Sequence, residues 1–168
     1  MKGIAMSIEL PQFGDVRTGI PIVDDQHREL LSLMGNLHDL LVSPGTGDDV
    51  QVFLMAREAL LRYIGEHFAC EERLMRCHGL DVRHVLLHLR EHERFTHRAY
   101  MVALSHGDDF CVDDTRQLLE FLIHWWHSHL PTDRSMARQI AAVLAGSQAS
   151  DAYDDDFSRF TLEAKRQS

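Results

Sequence analysis

Histidine is the residue type that stands out in this sequence. Twelve of the 168 residues are histidine, whose side chain binds metals or moves protons near neutral pH. Several lie four residues from a second polar side chain, a spacing that places both on one face of a helix. Three of these pairs can each converge on one point: His67 with Glu71, His88 with His92, and His129 with Asp133. His27 adds a further histidine near the start of the chain.

The apolar residues recur every three or four positions in four segments, as in helices that face a shared core. The segments begin near Asp24, Asp48, Asp81 and Asp114. Asp48 and Gln51 have the spacing of a capping box, and Asp114 and Gln117 repeat it. The expected breaks are Pro44-Gly45, Gly79 and His106-Gly107-Asp108. Short links between four long helices predict an all-α fold, an antiparallel up-down-up-down four-helix bundle.

The length of the chain suits one domain with a single hydrophobic core. We expect an N-terminal arm over residues 1–18, the bundle over 19–146 and a polar C-terminal tail over 147–168. The tail carries the acidic run from Asp154 to Asp156, and a frayed end is favoured there over a short docked helix.

Composition excludes several classes of function. The formal net charge is −9, from 17 basic and 26 acidic residues, which disfavours binding to nucleic acid or to anionic lipid. No apolar run is long enough for a bilayer. The N-terminus lacks a secretory signal, so a cytoplasmic location is expected. Cys70, Cys77 and Cys111 are odd in number and form no CxxC pair, which argues against a disulfide framework or a zinc-thiolate site.

The polar pairs continue the apolar faces of the helices toward the bundle axis. In the third helix, for example, His88 and His92 stand between Val85 and Phe95 at the same three-to-four spacing. Buried imidazoles and carboxylates without partners would be unfavourable by roughly 1–3 kcal/mol each. Imidazole nitrogen with carboxylate oxygen suits iron, zinc, manganese or copper. Seven ligands are too many for one ion, whereas two metals that share the carboxylates would use them all.

A purely structural role is the alternative for each residue alone, but the joint occurrence on four helices favours a metal centre. Six histidines lie off these faces and are expected to be solvated or to support the ligands: His38, His78, His97, His106, His124 and His127. His84 is ambiguous, because it lies four residues before His88. Glu72, Glu91 and Glu93 are interpreted as outward charges.

Four stretches carry a resemblance to a known family. They are the run Gly19-Ile20-Pro21-Ile22-Val23-Asp24-Asp25-Gln26-His27, the run His67-Phe68-Ala69-Cys70-Glu71-Glu72 with Leu74-Met75, the pair His88 and His92, and Trp125 with His129 and Asp133. At these residues the chain resembles the hemerythrins, most closely the bacterial ones. The likeness implies a four-helix bundle around a non-haem di-iron site that binds dioxygen reversibly.

The resemblance also implies roles for particular residues. One iron would be held by His88, His92 and His129, the other by His27 and His67, with Glu71 and Asp133 as bridges. The second iron would keep an open position for dioxygen. The family's pocket would be lined by Leu30, Phe68, Phe95, Trp125 and Leu130. The step from His129 to Asp133 is one residue shorter than usual in the family, and Pro131 lies inside it, so Asp133 is the least typical ligand.

The expected function is therefore reversible dioxygen binding for storage, delivery or sensing, without enzymatic turnover. Dioxygen is the expected partner, with an electron donor that re-reduces the two irons. The alternative is a di-iron oxidase, an enzyme that consumes peroxide or nitric oxide, or an iron-handling enzyme. Against an enzyme, the Glu-x-x-His motif of ferritin-like carboxylate sites does not occur in the sequence. A zinc-binding or purely structural bundle is the third hypothesis.

Overall fold

The computed structural model describes residues 8–12, 17–43, 49–104 and 111–164, with side chains described to 101 in the third helix and to 146 in the fourth. These residues form four α-helices and, within the same ranges, no strand. The helices are α1 (Pro21–Val42), α2 (Asp49–Cys77), α3 (Val82–Leu104) and α4 (Val112–Ala164). None of them, over the described residues, combines the length and apolar character needed to cross a bilayer.

The helices pack in a ring, in which α1 contacts α2 and α4, and α3 contacts the same two helices. The core consists of a large apolar cluster, which includes Leu30 and Leu60, and a small one, which includes Val23 and Met75. A layer of buried polar side chains lies between the two clusters, and every helix passes through all three. In α1 the small cluster comes first, with Val23 before Leu30, and in α2 the large one does, with Leu60 before Met75. In α3 the small cluster comes first, and in α4 the large one does. The predicted all-α, antiparallel four-helix bundle is therefore confirmed.

The start of α1 is fixed by the residues that precede it. Pro21 occupies the first turn, where its missing N–H costs no helical hydrogen bond. Asp24 turns its carboxylate back toward the loop, where the backbone N–H and the hydroxyl of Thr18 both donate to it at 2.7 Å. Gly19 has φ +90°, a conformation that favours glycine. These contacts start the helix at Pro21, ahead of the predicted Asp24.

A tight turn joins α2 to α3. Gly79 has φ +59°, and the N–H groups of Gly79 and Leu80 donate to the carbonyls of Arg76 and Met75 at 3.3 and 3.2 Å. This pattern is a Schellman motif, with the buried Leu80 against Met75 as its apolar contact. The third helix begins at Val82, next to the predicted Asp81. Asp81 caps it, because its carboxylate accepts the backbone N–H of Arg83 at 2.9 Å.

The predicted start of α4 is wrong by two residues. The helix begins at Val112, so Asp114 lies in its first turn and is buried there rather than opening the helix. An acidic side chain is favourable in either position, since the N-terminus of a helix carries partial positive charge. The other predicted capping residue, Asp48, lies outside the described residues, as do the breaks at 44–45 and 106–108.

The expectation of a frayed C-terminal tail is also wrong for the backbone over 147–164, which continues α4 to Ala164. No proline or glycine follows Gly146, so the sequence contains no residue that would end the helix there. At the other end of the chain, Ile8 and Leu10 pack against the large apolar cluster without joining a helix.

Candidate metal centre

The polar layer between the two apolar clusters gathers all seven predicted metal ligands. Each of the four helices contributes at least one of them, and none is more than 3 % exposed. They are His27 on α1, His67 and Glu71 on α2, His88 and His92 on α3, and His129 and Asp133 on α4. Four-residue spacing on α2, α3 and α4 directs each pair to the same side of its helix.

The first group of possible ligands consists of Glu71, His88, His92 and His129, whose donor atoms lie within 4.8 Å of one another. Glu71 Oε2 is 3.2 Å from His88 Nε2 and 3.1 Å from His92 Nε2. His129 Nε2 lies 3.3 Å from His88 Nε2. Three imidazole nitrogens and one carboxylate oxygen therefore point at one position.

The second group consists of His27, His67, Glu71 and Asp133, again with donor atoms within 4.8 Å of one another. His27 Nε2 is 3.1 Å from Asp133 Oδ2, and His67 Nε2 is 3.5 Å from Glu71 Oε2. This group contains two imidazoles, one fewer than the first.

The two carboxylates connect the groups. Glu71 belongs to both, and Asp133 directs Oδ2 to His27 while its Oδ1 lies 3.3 Å from His88 Nε2 and 3.0 Å from His129 Nε2. Pro131 lies within α4 without interrupting it. The short step from His129 to Asp133 thus places the carboxylate between the two groups.

The residues fit a bound cation. Among them, His67 Nε2 and Glu71 Oε1 are buried without a hydrogen-bond partner. Buried polar atoms are almost always partnered in folded proteins, and a cation would satisfy both the nitrogens and the oxygens. This donor set of imidazole and carboxylate is typical of iron, zinc, manganese or copper.

The electrostatics of the layer also suit a cation. Burial lowers the pKa of His67 to about 4 and lowers that of His92, which leaves their nitrogen lone pairs free at neutral pH. Burial opposes the charge of Glu71 and Asp133, yet the surrounding imidazoles hold the pKa of both carboxyls below their usual range. His88 and His129 differ, because although burial lowers their pKa, Asp133 and Glu71 raise it above the usual value. A metal ion would therefore compete with a proton at these two imidazoles.

Aromatic rings cover one side of the layer. Phe68 stacks on His92 with ring centroids 3.8 Å apart, and Trp125 stacks on His129 at 3.9 Å. Phe95 contacts the rings of Phe68 and Trp125. The five predicted pocket residues are all buried members of the large apolar cluster: Leu30, Phe68, Phe95, Trp125 and Leu130.

Two side chains that support ligands were missed by the sequence patterns. The interpretation of Glu91 as an outward charge is wrong, since its Oε2 accepts the Nδ1–H of His129 at 2.9 Å. Gln26 Oε1 likewise accepts the Nδ1–H of His67 at 3.1 Å. Gln26 adjoins a ligand in the sequence, but nothing in a single-helix pattern shows that it meets His67 on another helix.

The remaining histidines and glutamates mostly match their predicted places. Exposed side chains include Glu93, His97, His124 and His127, whereas His38, His78 and Glu72 are partly buried. His84 is partly buried and meets His88 edge to face, with ring centroids 5.4 Å apart. His106 lies outside the described residues.

Comparison with known proteins points to one family. Residues 18–137 match the family model of the hemerythrin HHE cation-binding domain. A bacteriohemerythrin of Pseudomonas aeruginosa (strain LESB58) is 31% identical over 121 residues, which cover 71% of this chain and 72% of the relative. One from Stenotrophomonas maltophilia (strain R551-3) is 29% identical over 133 residues, which cover 77% of this chain and 80% of the relative.

No solved structure matches the chain. The family model nevertheless spans α1, α2, α3 and the part of α4 that contributes His129 and Asp133. All seven side chains of the buried polar layer therefore lie inside the matched region. With this match and these relatives, the chain belongs to the hemerythrin family.

Proposed function

We propose that this protein binds dioxygen reversibly at a centre of two non-haem iron ions, for storage, delivery or sensing. The observation that carries the proposal is the pair of buried donor groups that share Glu71 and are spanned by Asp133. Two positions linked by carboxylates suit two cations held close together. The donor groups contain five imidazoles and two carboxylates, whereas ferritin-like sites are rich in carboxylates.

The two positions differ in the number of protein ligands available. Three imidazoles face the first and two face the second, whereas the carboxylates reach both. The second position, beside His27 and His67, therefore retains more room for an external ligand. A pair of ferrous ions would supply the electrons that dioxygen takes up on binding.

Apolar residues of the chain cover the centre on the side of His92 and His129 and would limit the entry of water. Phe68 and Trp125 cover the neighbouring imidazoles, and Leu30 and Leu130 are buried in the same apolar cluster. A dry pocket limits the entry of water and protons, which would otherwise displace the ligand and leave the metals oxidised. The surrounding apolar residues thus favour reversible binding over turnover.

The bacteriohemerythrin relatives support the same proposal at the level of the family. In cells the protein would need an electron donor to return an oxidised centre to the ferrous state. The second candidate, a di-iron oxidase or an enzyme that consumes peroxide or nitric oxide, would use the same ligands. It differs in an outcome that can be measured, which is irreversible oxidation of the centre by air.

The first test is the iron content per chain together with the visible spectrum of the anaerobically reduced protein before and after exposure to air. We expect two irons, a colourless reduced form, and a coloured form that reverts when dioxygen is removed under vacuum. Two irons with irreversible oxidation would favour the enzymatic candidate. Absence of iron from protein expressed with ample iron would contradict the proposal.

A matched pair of variants tests the ligand assignment. His92→Ala removes a buried imidazole from the first donor group, so iron content should fall and the spectrum should change. His97→Ala removes an exposed imidazole from the same helix and should leave both unchanged. A His92→Ala variant with full iron and an unaltered spectrum would show that His92 is not a ligand.

A further inference from the structure

The fourth helix continues beyond the bundle. Among the side chains that the structure describes, Ile140 is the last buried one of α4, and residues 141–146 are all exposed. The backbone stays helical to Ala164, so residues 147–164 form a helical extension about 27 Å long. The match to the hemerythrin family model ends at residue 137. The extension is therefore a feature of this chain that the family model does not cover.

The sequence of the extension has the pattern of a helix that binds in a groove. Tyr153, Phe157 and Phe160 follow one another at intervals of four and three residues, which places them on one face of a helix. Such spacing is typical of the residues with which an amphipathic helix enters an apolar groove. Residues 147–164 also contain four aspartates and one glutamate against one arginine. A complementary surface would be apolar and bordered by basic side chains.

A groove lies between α2 and α3 on the surface of the bundle. It consists of two cavities, of about 530 and 300 Å³, that share Glu72 and Leu89 in their walls. Gly65 and Ala69 line the larger cavity, and their small size leaves room beside α2. Along α3 the groove extends over residues 82–97. Its other apolar lining residues are Ile64, Phe68, Met75, Leu80, Val82 and Val85.

The rim of this groove combines exposed apolar side chains with arginines. Val82 and Leu86 are 66 % and 52 % exposed and lie one above the other on α3, because four residues separate them. Arg83 and Arg90 are exposed on the same helix. Residues 73–90 carry four arginines and one aspartate, although the whole chain has a net charge of −9. The rim therefore has the charge and the apolar character that suit the acidic extension.

The extension and the groove begin at the same end of the bundle. The small apolar cluster at this end contains Ile140, after which α4 leaves the bundle, and Leu80 in the turn between α2 and α3. The side chain of Gln139 accepts the backbone N–H of Asp81 there at 3.2 Å. Because α4 continues as one helix, its extension runs on past the groove of its own chain. A second copy, packed end to end, would present its groove to the extension.

We propose that this protein forms a two-fold dimer in which the extension of each copy, residues 147–164, lies in the groove between α2 and α3 of the other. Tyr153, Phe157 and Phe160 would enter the groove, and the aspartates would face the arginines of its rim. The exchange is reciprocal, so the contacts close within the pair. The lengths also agree, since residues 82–97 span about 22 Å and the extension about 27 Å. The dimer depends neither on iron nor on dioxygen.

Sedimentation equilibrium of the full chain as purified measures the mass and the dissociation constant of the dimer. We expect the wild type to have twice the mass of one chain. Phe157→Asp combined with Phe160→Asp should weaken the dimer about a hundredfold or more, because a few buried aromatic side chains dominate the energy of an interface. Val82→Glu places a negative charge in the groove and should also weaken it. Met55→Glu is the control, since Met55 is 59 % exposed but lines a different cavity, beside α1.

A charge reversal tests whether the extension pairs with this rim in particular. Arg83→Glu combined with Arg90→Glu should weaken the dimer roughly tenfold. Asp154→Arg combined with Asp156→Arg should weaken it as well, whereas the variant that carries all four substitutions should recover affinity. Failure of the fourfold variant to recover would overturn the proposed pairing, and this comparison remains decisive if the phenylalanine variant loses helix by circular dichroism.

Two further results would overturn the dimer. The first is a wild type that stays monomeric at every concentration up to its solubility limit, whether the extension is free or folds back on its own chain. The second is a dimer that persists unchanged in both the phenylalanine variant and Val82→Glu, which would place the interface elsewhere. Loss of the dimer in these two variants, with Met55→Glu still dimeric, would support the exchange of extensions.

Discussion

At the scale of single residues, the second nitrogen of an imidazole decides how well the first can bind a metal. Glu91 accepts the Nδ1–H of His129 at 2.9 Å, and Gln26 accepts that of His67 at 3.1 Å. Such contacts fix the tautomer and the orientation of the ring and make it a stronger ligand. The first donor group thus has a charged supporting partner, and the second a neutral one.

Glu91→Ala should therefore lower metal affinity without removing a ligand. We expect a loss of about tenfold or more, measured by competition with a chelator of known affinity. Glu93→Ala is the matched control, because Glu93 is an exposed acidic residue on the same helix. Equal affinities for the two variants would mean that Glu91 contributes only surface charge.

At the scale of elements, the turn between α2 and α3 sets the phase of the helix that carries His88 and His92. Gly79 holds φ +59° there, and the reversal lets α3 return antiparallel along α2. Glycine adopts this conformation without the steric penalty of a Cβ. The turn is therefore a point at which local backbone chemistry positions distant ligands.

Gly79→Ala should destabilise the protein by about 1 kcal/mol, since a left-handed conformation is unfavourable for residues with a Cβ. Gly35→Ala is the counterpart inside α1, where a Cβ would meet no atom within 4 Å. That substitution should stabilise the protein by up to about 1 kcal/mol, because alanine is the better helix former. Urea unfolding measures both, and the same sign for the two variants would contradict this account.

At the scale of the whole molecule, the buried polar layer separates two apolar clusters that alone would form a continuous core. Without a cation the layer leaves buried nitrogen and oxygen atoms unpartnered, which weakens the middle of the bundle. A bound ion would link all four helices at one level. Metal binding and folding stability should therefore be coupled.

Removal of the metal should lower the melting temperature. With free metal at a thousandfold excess over Kd, binding adds about 4 kcal/mol of stability, equivalent to a rise in Tm of roughly 10 °C for a chain of this size. Differential scanning calorimetry of metal-loaded and chelator-treated protein measures the difference. A chelated protein that melts at the same temperature would show that the polar layer is stable without metal.

Much of the fold and the ligand set could be predicted because both follow from regular spacing along single helices. Apolar residues at three- and four-residue intervals predict the four helices. The three polar pairs on α2, α3 and α4, with their four-residue spacing, lie on the same helical faces as those apolar residues. The end of α4 could not be predicted in this way, since polar composition suggested a frayed tail where the backbone remains helical.

The sequence by itself determined which side chains could meet, because positions along one helix fix the face that each side chain occupies. Only the tertiary structure decided which groups support them: Glu91 beside His129 and Gln26 beside His67. Each of these contacts joins two helices. Their formation depends on the rotation and separation of packed helices, which are set by the whole core and by no local pattern.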